Sequence, residues 1–327
     1  MAAPPEYRRP WWYRGRHLQT LWGPLFRHAG RPPLRRERLD TPDGDFLDLD
    51  WLPEEPRGAP LVVILHGLEG SSRSHYATGL VKETRRLGWR GVVVNFRSCS
   101  GELNRTRRFY HSGETGDLDW VLGCLVAREP GLRLGLVGVS LGGNVALKWL
   151  GERGDDAPAQ VRGAVAISAP LDLTACARVL DAGVRRTLYT ASFLRTMKAK
   201  LEAKARVGAF DGLLDLDAAL RARTFSEYDR LVTAPLYGFR DERDYWARSS
   251  SGQFLPRVRR PTLLINALND PFMPPDALAG AALDESPWVR AAFVPEGGHV
   301  GFLEGPLGLR SWAERQALAF LREHLRE

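Results

Sequence analysis

The chain has 327 residues, 44% of them hydrophobic and 26% charged, a globular composition that excludes intrinsic disorder and low-complexity classes. No run reaches about eighteen apolar residues and the first ten positions lack an apolar signal core, so no transmembrane helix or secretory leader is expected. The net charge of +7 lies entirely in residues 1–38, where nine arginines face two glutamates, and an arm of this kind on a neutral body is not the basic stripe of a nucleic-acid-binding fold.

Residues 1–33 read as an arm rich in arginine and aromatic side chains. Within it Leu18, Leu21, Trp22 and Leu25 recur at helical spacing, which predicts a short amphipathic helix stopped at Gly23-Pro24 or soon after. Its apolar stripe is expected to pack on the body while the arginines are solvated. Contact with an anionic membrane or lipid surface is the second role expected of residues 1–38, because Trp11, Trp12, Tyr13, Trp22 and Phe26 accompany the charge. Leu34–Leu39 and Phe46–Leu52 flank Thr41-Pro42-Asp43-Gly44 and read as a hairpin.

Short apolar runs follow at Leu61–Leu65, Gly91–Phe96, Leu134–Val139, Val161–Ile167, Pro261–Ala267 and Val289–Val294. Helical patterns lie between most of them, at 74–87, 114–128, 141–152 and 275–283, and a closing helix is expected over Leu309–Leu325. Continuous apolar strands separated by helices predict an α/β fold with a mostly parallel, doubly wound sheet. From Leu171 to Gln253 no strand pattern appears. That interruption predicts a helical insertion at a loop on one edge of the sheet, roofing a site at the carboxyl ends of the strands. The expected organisation is an arm over 1–33, a core over 34–170 and 254–327, and a cap over 171–253.

The strongest local signal is Gly138-Val139-Ser140-Leu141-Gly142, set between a strand and a helical stretch. It fits a sharp strand-to-helix turn that presents a serine hydroxyl beside the free amides of a helix start. A serine needs a base, and the base needs an orienting acid. Of the two histidines that follow Ser140, His324 sits among charged residues of the last helix, whereas His299 lies in a glycine-rich loop just past the last strand. Asp270, in the turn after Ala267, is the acid. Ser140, Asp270 and His299 are therefore the candidate triad, and the backbone N–H groups of Leu141 and Leu68 the candidate oxyanion hole. His66, in His66-Gly67-Leu68-Glu69-Gly70, precedes the serine and is read as shaping its loop. No GxGxxG after a strand, no GxxxxGK[ST] and no HExxH or Cys/His ladder is present, so no nucleotide, cofactor or metal is expected. Cys99, Cys124 and Cys176 lack CxxC spacing, which suits a reducing, cytoplasmic compartment.

Several further segments make the chain similar to one family over nearly its whole length. They are His17-Leu18-Gln19-Thr20, the His66–Gly70 loop, the run Asn95-Phe96-Arg97-Ser98-Cys99-Ser100-Gly101-Glu102 with Asn104-Arg105, and Tyr110-His111-Ser112-Gly113-Glu114-Thr115. In the insertion they are Thr224-Phe225, Glu227-Tyr228-Asp229 and Pro235-Leu236-Tyr237-Gly238-Phe239. The chain resembles the YheT-like, embryogenesis-associated branch of the α/β-hydrolases. The resemblance implies a serine esterase or lipase, with relatives acting on acylglycerols, phospholipids and medium-chain ethyl esters, and with a triad at the same Ser140, Asp270 and His299. Ser98 departs from the glycine expected there. Arg97, His111 and Glu114 are read as a hydrogen-bonded loop under the site. The expectation is a serine carboxylic-ester hydrolase for an apolar acyl ester, its acyl pocket lined from the cap by residues such as Val179, Leu180, Leu188, Phe193, Leu194 and Met197. Acyl transfer to an alcohol through the same residues, or a non-hydrolytic binding protein that keeps the fold, are the alternatives.

Overall fold

In the computed structural model, which describes residues 6–27, 30, 32–53, 58–210, 212–279 and 283–326, eight strands form one sheet. They are β1 (Arg35–Asp40), β2 (Phe46–Trp51), β3 (Leu61–Leu65), β4 (Arg90–Asn95), β5 (Leu134–Val139), β6 (Val161–Ile167), β7 (Thr262–Ala267) and β8 (Val289–Val294), in the order β1-β2-β4-β3-β5-β6-β7-β8. Strands β3 to β8 run parallel, and the β1–β2 hairpin adds an antiparallel edge. The continuous apolar runs have a simple cause, since both faces of the sheet are covered. Along β3, Leu61, Val63 and Leu65 pack with Val121 and Trp149, while Val62 and Ile64 pack with Leu80 and Leu321. Helices α3 (Gly116–Arg128) and α4 (Leu141–Arg153) thus cover one face, and α2 (His75–Arg86) and the C-terminal helix Trp312–His324 the other.

Three boundaries differ from the sequence reading. The closing helix begins at Trp312, because residues 303–311 first form a small hairpin pairing Leu303–Glu304 with Arg310–Ser311, and Ser311 Oγ then caps the helix. Of the expected 275–283 helix, Pro275–Ala279 is α-helical and Leu283 already belongs to a 3-10 turn; positions 280–282 lie outside the described residues. The insertion leaves from β6, an interior strand, and not from an edge of the sheet. It consists mainly of helices Leu173–Leu180, Ala191–Ala205, Leu216–Arg221 and Glu242–Ser249, with single π-helical turns at Arg186–Thr190 and Asp229–Thr233. Leu194, Leu201, Phe225 and Tyr228 give it a small core of its own.

The arm corrects the sequence reading most. Helix α1 (Arg16–Phe26) ends soon after Gly23-Pro24, as expected, but the side it buries is Gln19, Thr20 and Gly23, not the leucine stripe. Leu18, Leu25 and Phe26 face solvent. The surface beneath α1 is backbone of the 296–301 loop, which asks for hydrogen-bonding groups and close approach instead of apolar side chains. Nor are the arm's arginines all solvated. Arg9 pairs with Glu296 and Arg27 with Glu314, while Arg36 and Arg38 stand opposite Asp50 and Asp48 in the β1–β2 register and pair with them. Arg31 of the arm lies outside the described residues. Among the described residues no helix is long and apolar enough to cross a membrane.

The hairpin turn is fastened to the body by one buried guanidinium. Arg97, just past β4, donates to both carboxylate oxygens of Asp117 (2.8 and 2.6 Å) and reaches Asp43 and Asp45 at 2.8 Å. Removing one side of a buried charge cluster strands the other. Arg97→Met is therefore expected to lower the unfolding free energy by about 3–5 kcal/mol in urea titrations, and Asp117→Asn, which keeps an acceptor, by clearly less. Equal stability of Arg97→Met and the parent would contradict this.

Candidate active site

Ser140 joins β5 to α4 with φ 53° and ψ −122°, a conformation that L residues avoid. Its amide donates to the Ile167 carbonyl at 2.8 Å, and its own carbonyl accepts from Gly143 and Asn144 at 2.8 and 3.1 Å. The elbow leaves no room beside it. A Cβ at Gly138 would overlap the Gly142 carbonyl, and one at Gly142 would lie 2.6 Å from the carbonyls of Leu65 and His66. Among the described residues five that are not glycine have positive φ: Glu69, Ser98, Ser140, Ser168 and Val300. All follow carboxyl ends of strands, so backbone strain gathers at one end of the sheet, where function is often built. Ser98, the departure from glycine, carries that conformation by bonding its hydroxyl to the Asn104 side chain and amide.

The three candidate catalytic side chains meet here. His299 Nδ1–H donates to Asp270 Oδ2 at 2.8 Å, and Ser140 Oγ–H donates to His299 Nε2 at 2.9 Å. Asp270 is buried and its other oxygen accepts the Phe272 amide at 2.8 Å. The Phe272 ring stacks on the imidazole with centroids 4.0 Å apart. His324 is remote from this group; it sits beside Phe320 and Gly163, toward the amino end of β6.

In the 66–70 loop, the amides of Gly67, Glu69 and Gly70 are engaged by Tyr76 Oη, Tyr110 Oη and the Gly67 carbonyl at 2.9, 2.7 and 3.0 Å. The amides of Leu68 and Leu141 carry no such bond among the described residues, and both residues line the same cavity as Ser140 and His299. His66 is buried, with Nε2 accepting the Phe96 amide at 3.0 Å and Nδ1–H donating to the Gly67 carbonyl at 2.7 Å. Burial lowers its pKa to about 4, so it stays neutral and holds the loop in shape. Among the described residues no group of three or more His, Cys, Asp or Glu side chains is gathered to hold a metal ion.

The model of the alpha/beta hydrolase fold family matches residues 60–306. YheT of Escherichia coli (strain K12), a proposed esterase, is 39% identical over 314 residues, covering 94% of this chain and 91% of that protein. The chain is an α/β-hydrolase of the YheT-like branch. Phospholipase ABHD3 of Mus musculus is 30% identical over 308 residues, 91% of this hydrolase and 73% of that protein. The structure of the Pyrococcus furiosus esterase Pf2001 superposes with a TM-score of 0.57 at 16% identity, covering 100% of this chain and 98% of that one, which is a likeness of fold.

What holds the hydrolase's acid and histidine loops together comes from the arm, and the sequence reading missed its role. Gln19 Oε1 accepts from Asn269 Nδ2 at 2.8 Å and from the Gly297 amide at 3.1 Å, while Gln19 Nε2 donates to the Tyr13 carbonyl at 3.0 Å. Thr20 Oγ1 accepts the His299 amide at 3.0 Å. Asn269 Oδ1 accepts the Gly298 amide at 2.9 Å, closing the link between the two loops. The His17–Thr20 motif was visible in the sequence, but nothing in its spacing points to a loop some 280 residues away.

Two spaces meet at Ser140. One is an apolar cavity of about 100 Å³ beneath the insertion, lined by Leu180, Phe193, Phe225, Trp246 and Met273 among others. The other is a wider cleft of about 390 Å³ with exposed Pro24, Arg73 and Leu188 on its rim. Of the insertion residues expected to line an acyl pocket, Leu180 and Phe193 do so and Leu188 stands at the cleft. Leu194 and Met197 pack within the insertion, and Val179 lies outside both spaces. Asp229 was not anticipated. It lines the apolar cavity from a π-helical turn, its buried carboxyl accepting from Thr233 Oγ1 at 2.6 Å and Trp246 Nε1 at 2.8 Å.

Gln19→Ala would leave the Gly297 N–H and an Asn269 amide hydrogen without their acceptor. The expected outcome is a loss of about 1–3 kcal/mol in stability and a kcat about ten- to a hundredfold lower with KM nearly unchanged. Steady-state kinetics on fully folded protein decides it; an unaltered kcat would remove Gln19 from the positioning of the loops.

Proposed function

We propose that this α/β-hydrolase is a serine carboxylic-ester hydrolase acting on esters with an apolar acyl chain, lipid esters included. The observation that carries the reading is the unbroken hydrogen-bonded line from Ser140 through His299 to Asp270, on a strained elbow beside two free amides. The relatives' names as esterase and phospholipase support it.

In this mechanism the ester lies with its acyl chain in the apolar cavity and its alcohol in the wider cleft. His299 Nε2 takes the hydroxyl proton as Ser140 Oγ attacks the carbonyl carbon. Negative charge on the carbonyl oxygen is met by the N–H groups of Leu68 and Leu141, two residues that line the cavity beside Ser140 and whose amides have no other partner among the described residues. Asp270 holds the Nδ1–H tautomer and stabilises the imidazolium that forms. His299 then protonates the departing alcohol, and a water activated by the same base releases the acid from the acyl-enzyme. In this reading residues 1–33 form the arm, 34–170 and 254–327 the core, and 171–253 the cap.

Asp229 adds a condition to the acyl cavity. Burial pushes its carboxyl up to about 7, against the pull of its bonds from Thr233 and Trp246. Below that pH the carboxyl in the cavity wall is neutral; above it the wall holds a buried charge, which disfavours apolar contents.

Ser140→Ala is expected to abolish labelling by a fluorophosphonate probe and turnover of p-nitrophenyl esters with no change in melting temperature. Activity persisting in that variant would overturn the nucleophile assignment. The ratio of kcat/KM for a long-chain ester to that for an acetyl ester is expected to fall as pH rises through about 7, and to become flat in Asp229→Asn. The chemical steps at Ser140 are common to both substrates, so their own pH dependence cancels in the ratio; an identical slope in the variant would exclude Asp229.

A further inference from the structure

The outward side of α1 carries an aromatic and aliphatic face, with Leu18, Leu25 and Phe26 exposed. Trp12, Trp22 and Phe26 follow one another with ring centroids 4.5 and 4.3 Å apart. Trp12 and Trp22 lie against Gly308, at the tip of the small 303–311 hairpin. The neighbouring Trp11, Phe26 and Leu307 are 79%, 56% and 71% exposed. A contiguous apolar face of this kind is seldom left in water by a monomer.

This face borders the active site. Leu21 and Pro24, on the same helix, line the cleft that reaches Ser140 and His299. Across the cleft stands the π-helical turn 186–190, with Leu188 on the rim and Val184 exposed beside it. Charge completes the pattern. Arg14 and Arg16 on the arm, Arg310 on the hairpin, Arg73 on the rim and Arg185 and Arg186 across it make no ion pair with an acidic side chain among the described residues. The acids close to the face, Glu296 and Glu304, are already held by Arg9 and Arg315. Guanidinium groups without an acidic partner around tryptophan and leucine match a surface that is anionic above and hydrocarbon below.

We propose that this face seats the enzyme on an anionic lipid layer beside its cleft, so that a lipid ester passes from the layer to Ser140 with little exposure to water. The proposal rests on the ester-hydrolase reading only for the fate of the lipid; the seating itself is independent of catalysis. In sedimentation, Ser140→Ala protein is expected to bind vesicles of phosphatidylglycerol and phosphatidylcholine at low salt, to ignore pure phosphatidylcholine, and to leave the mixed vesicles near 0.5 M salt, where the Debye length is about 4 Å.

The triple variant Trp11→Glu, Phe26→Glu, Leu307→Glu should stay in the supernatant. In the active enzyme these changes should preserve turnover of a soluble short-chain ester and reduce turnover of a vesicle-embedded ester by about tenfold or more. Failure of the parent protein to sediment would overturn the proposal, as would sedimentation of the variant like the parent. A parent that elutes as a dimer and a variant that elutes as a monomer would assign the face to a second copy instead. Equal loss on the soluble ester would make it a structural face. An enzyme inert toward both esters that still sediments would refute the hydrolase reading and leave the seating intact.

Discussion

Ser140, Asp270 and His299 stand on loops that follow three different strands, and a sheet fixes strand ends better than it fixes the loops beyond them. The carboxamide of Gln19 supplies what is missing. It is fully buried, binds the acid loop through Asn269 and the histidine loop through Gly297, and is itself held by the Tyr13 carbonyl. Much of the arm follows from this one group. The helix must turn its polar side inward to present Gln19 and Thr20, and the loop must come close enough that a Cβ at Gly298 would lie 2.8 Å from Gln19 Cβ. Leu18, Leu25 and Phe26 are then turned outward by geometry.

A second constraint is the placing of buried charge. The motif-rich stretch from Asn95 to Thr115 contributes no group to the Ser140–His299–Asp270 line; it solves a packing problem next to it. Arg97 gathers Asp43, Asp45 and Asp117, Asn95 bridges the Asp48 carbonyl and the Asp50 carboxylate, and Arg108 pairs with Glu114. His111, enclosed by Tyr237, Phe239 and Tyr245, has its pKa lowered to about 3 by burial and by nearby Lys148 and Arg108, so it is a neutral packing residue. Such a network tolerates little substitution because each partner removed leaves another unsatisfied. That is a sufficient physical reason for its recognisable sequence.

The space around Ser140 divides in the way an ester divides. A small apolar cavity lies under the insertion and a larger, partly charged cleft lies between α1 and the 186–190 turn. Both π-helical turns of the insertion present a residue here, Tyr189 to the cleft and Asp229 to the cavity. The extra residue in such a turn re-aims a side chain without ending the helix.

By itself the sequence determined whatever is written in neighbouring residues. Strand runs with both faces buried, the glycines that an elbow at Ser140 requires, and the chain order of Ser140, Asp270 and His299 could all be read because each rests on local sterics or on position after a strand. Only the tertiary structure decided what depends on distant partners. The helical spacing of Leu18, Leu21, Trp22 and Leu25 announced a helix, but the side it buries was set by loop 296–301, whose amides call for the acceptors Gln19 and Thr20 supply. The charge of residues 1–38 was countable, yet which arginines are neutralised depended on Asp48, Asp50, Glu296 and Glu314 being folded against them. Gln19 and Asp229 stood inside recognisable motifs, but the motifs did not state what either side chain does. The partners of Gln19 lie 250 and 278 positions away, and pairings across such distances leave no periodicity in a sequence to be read.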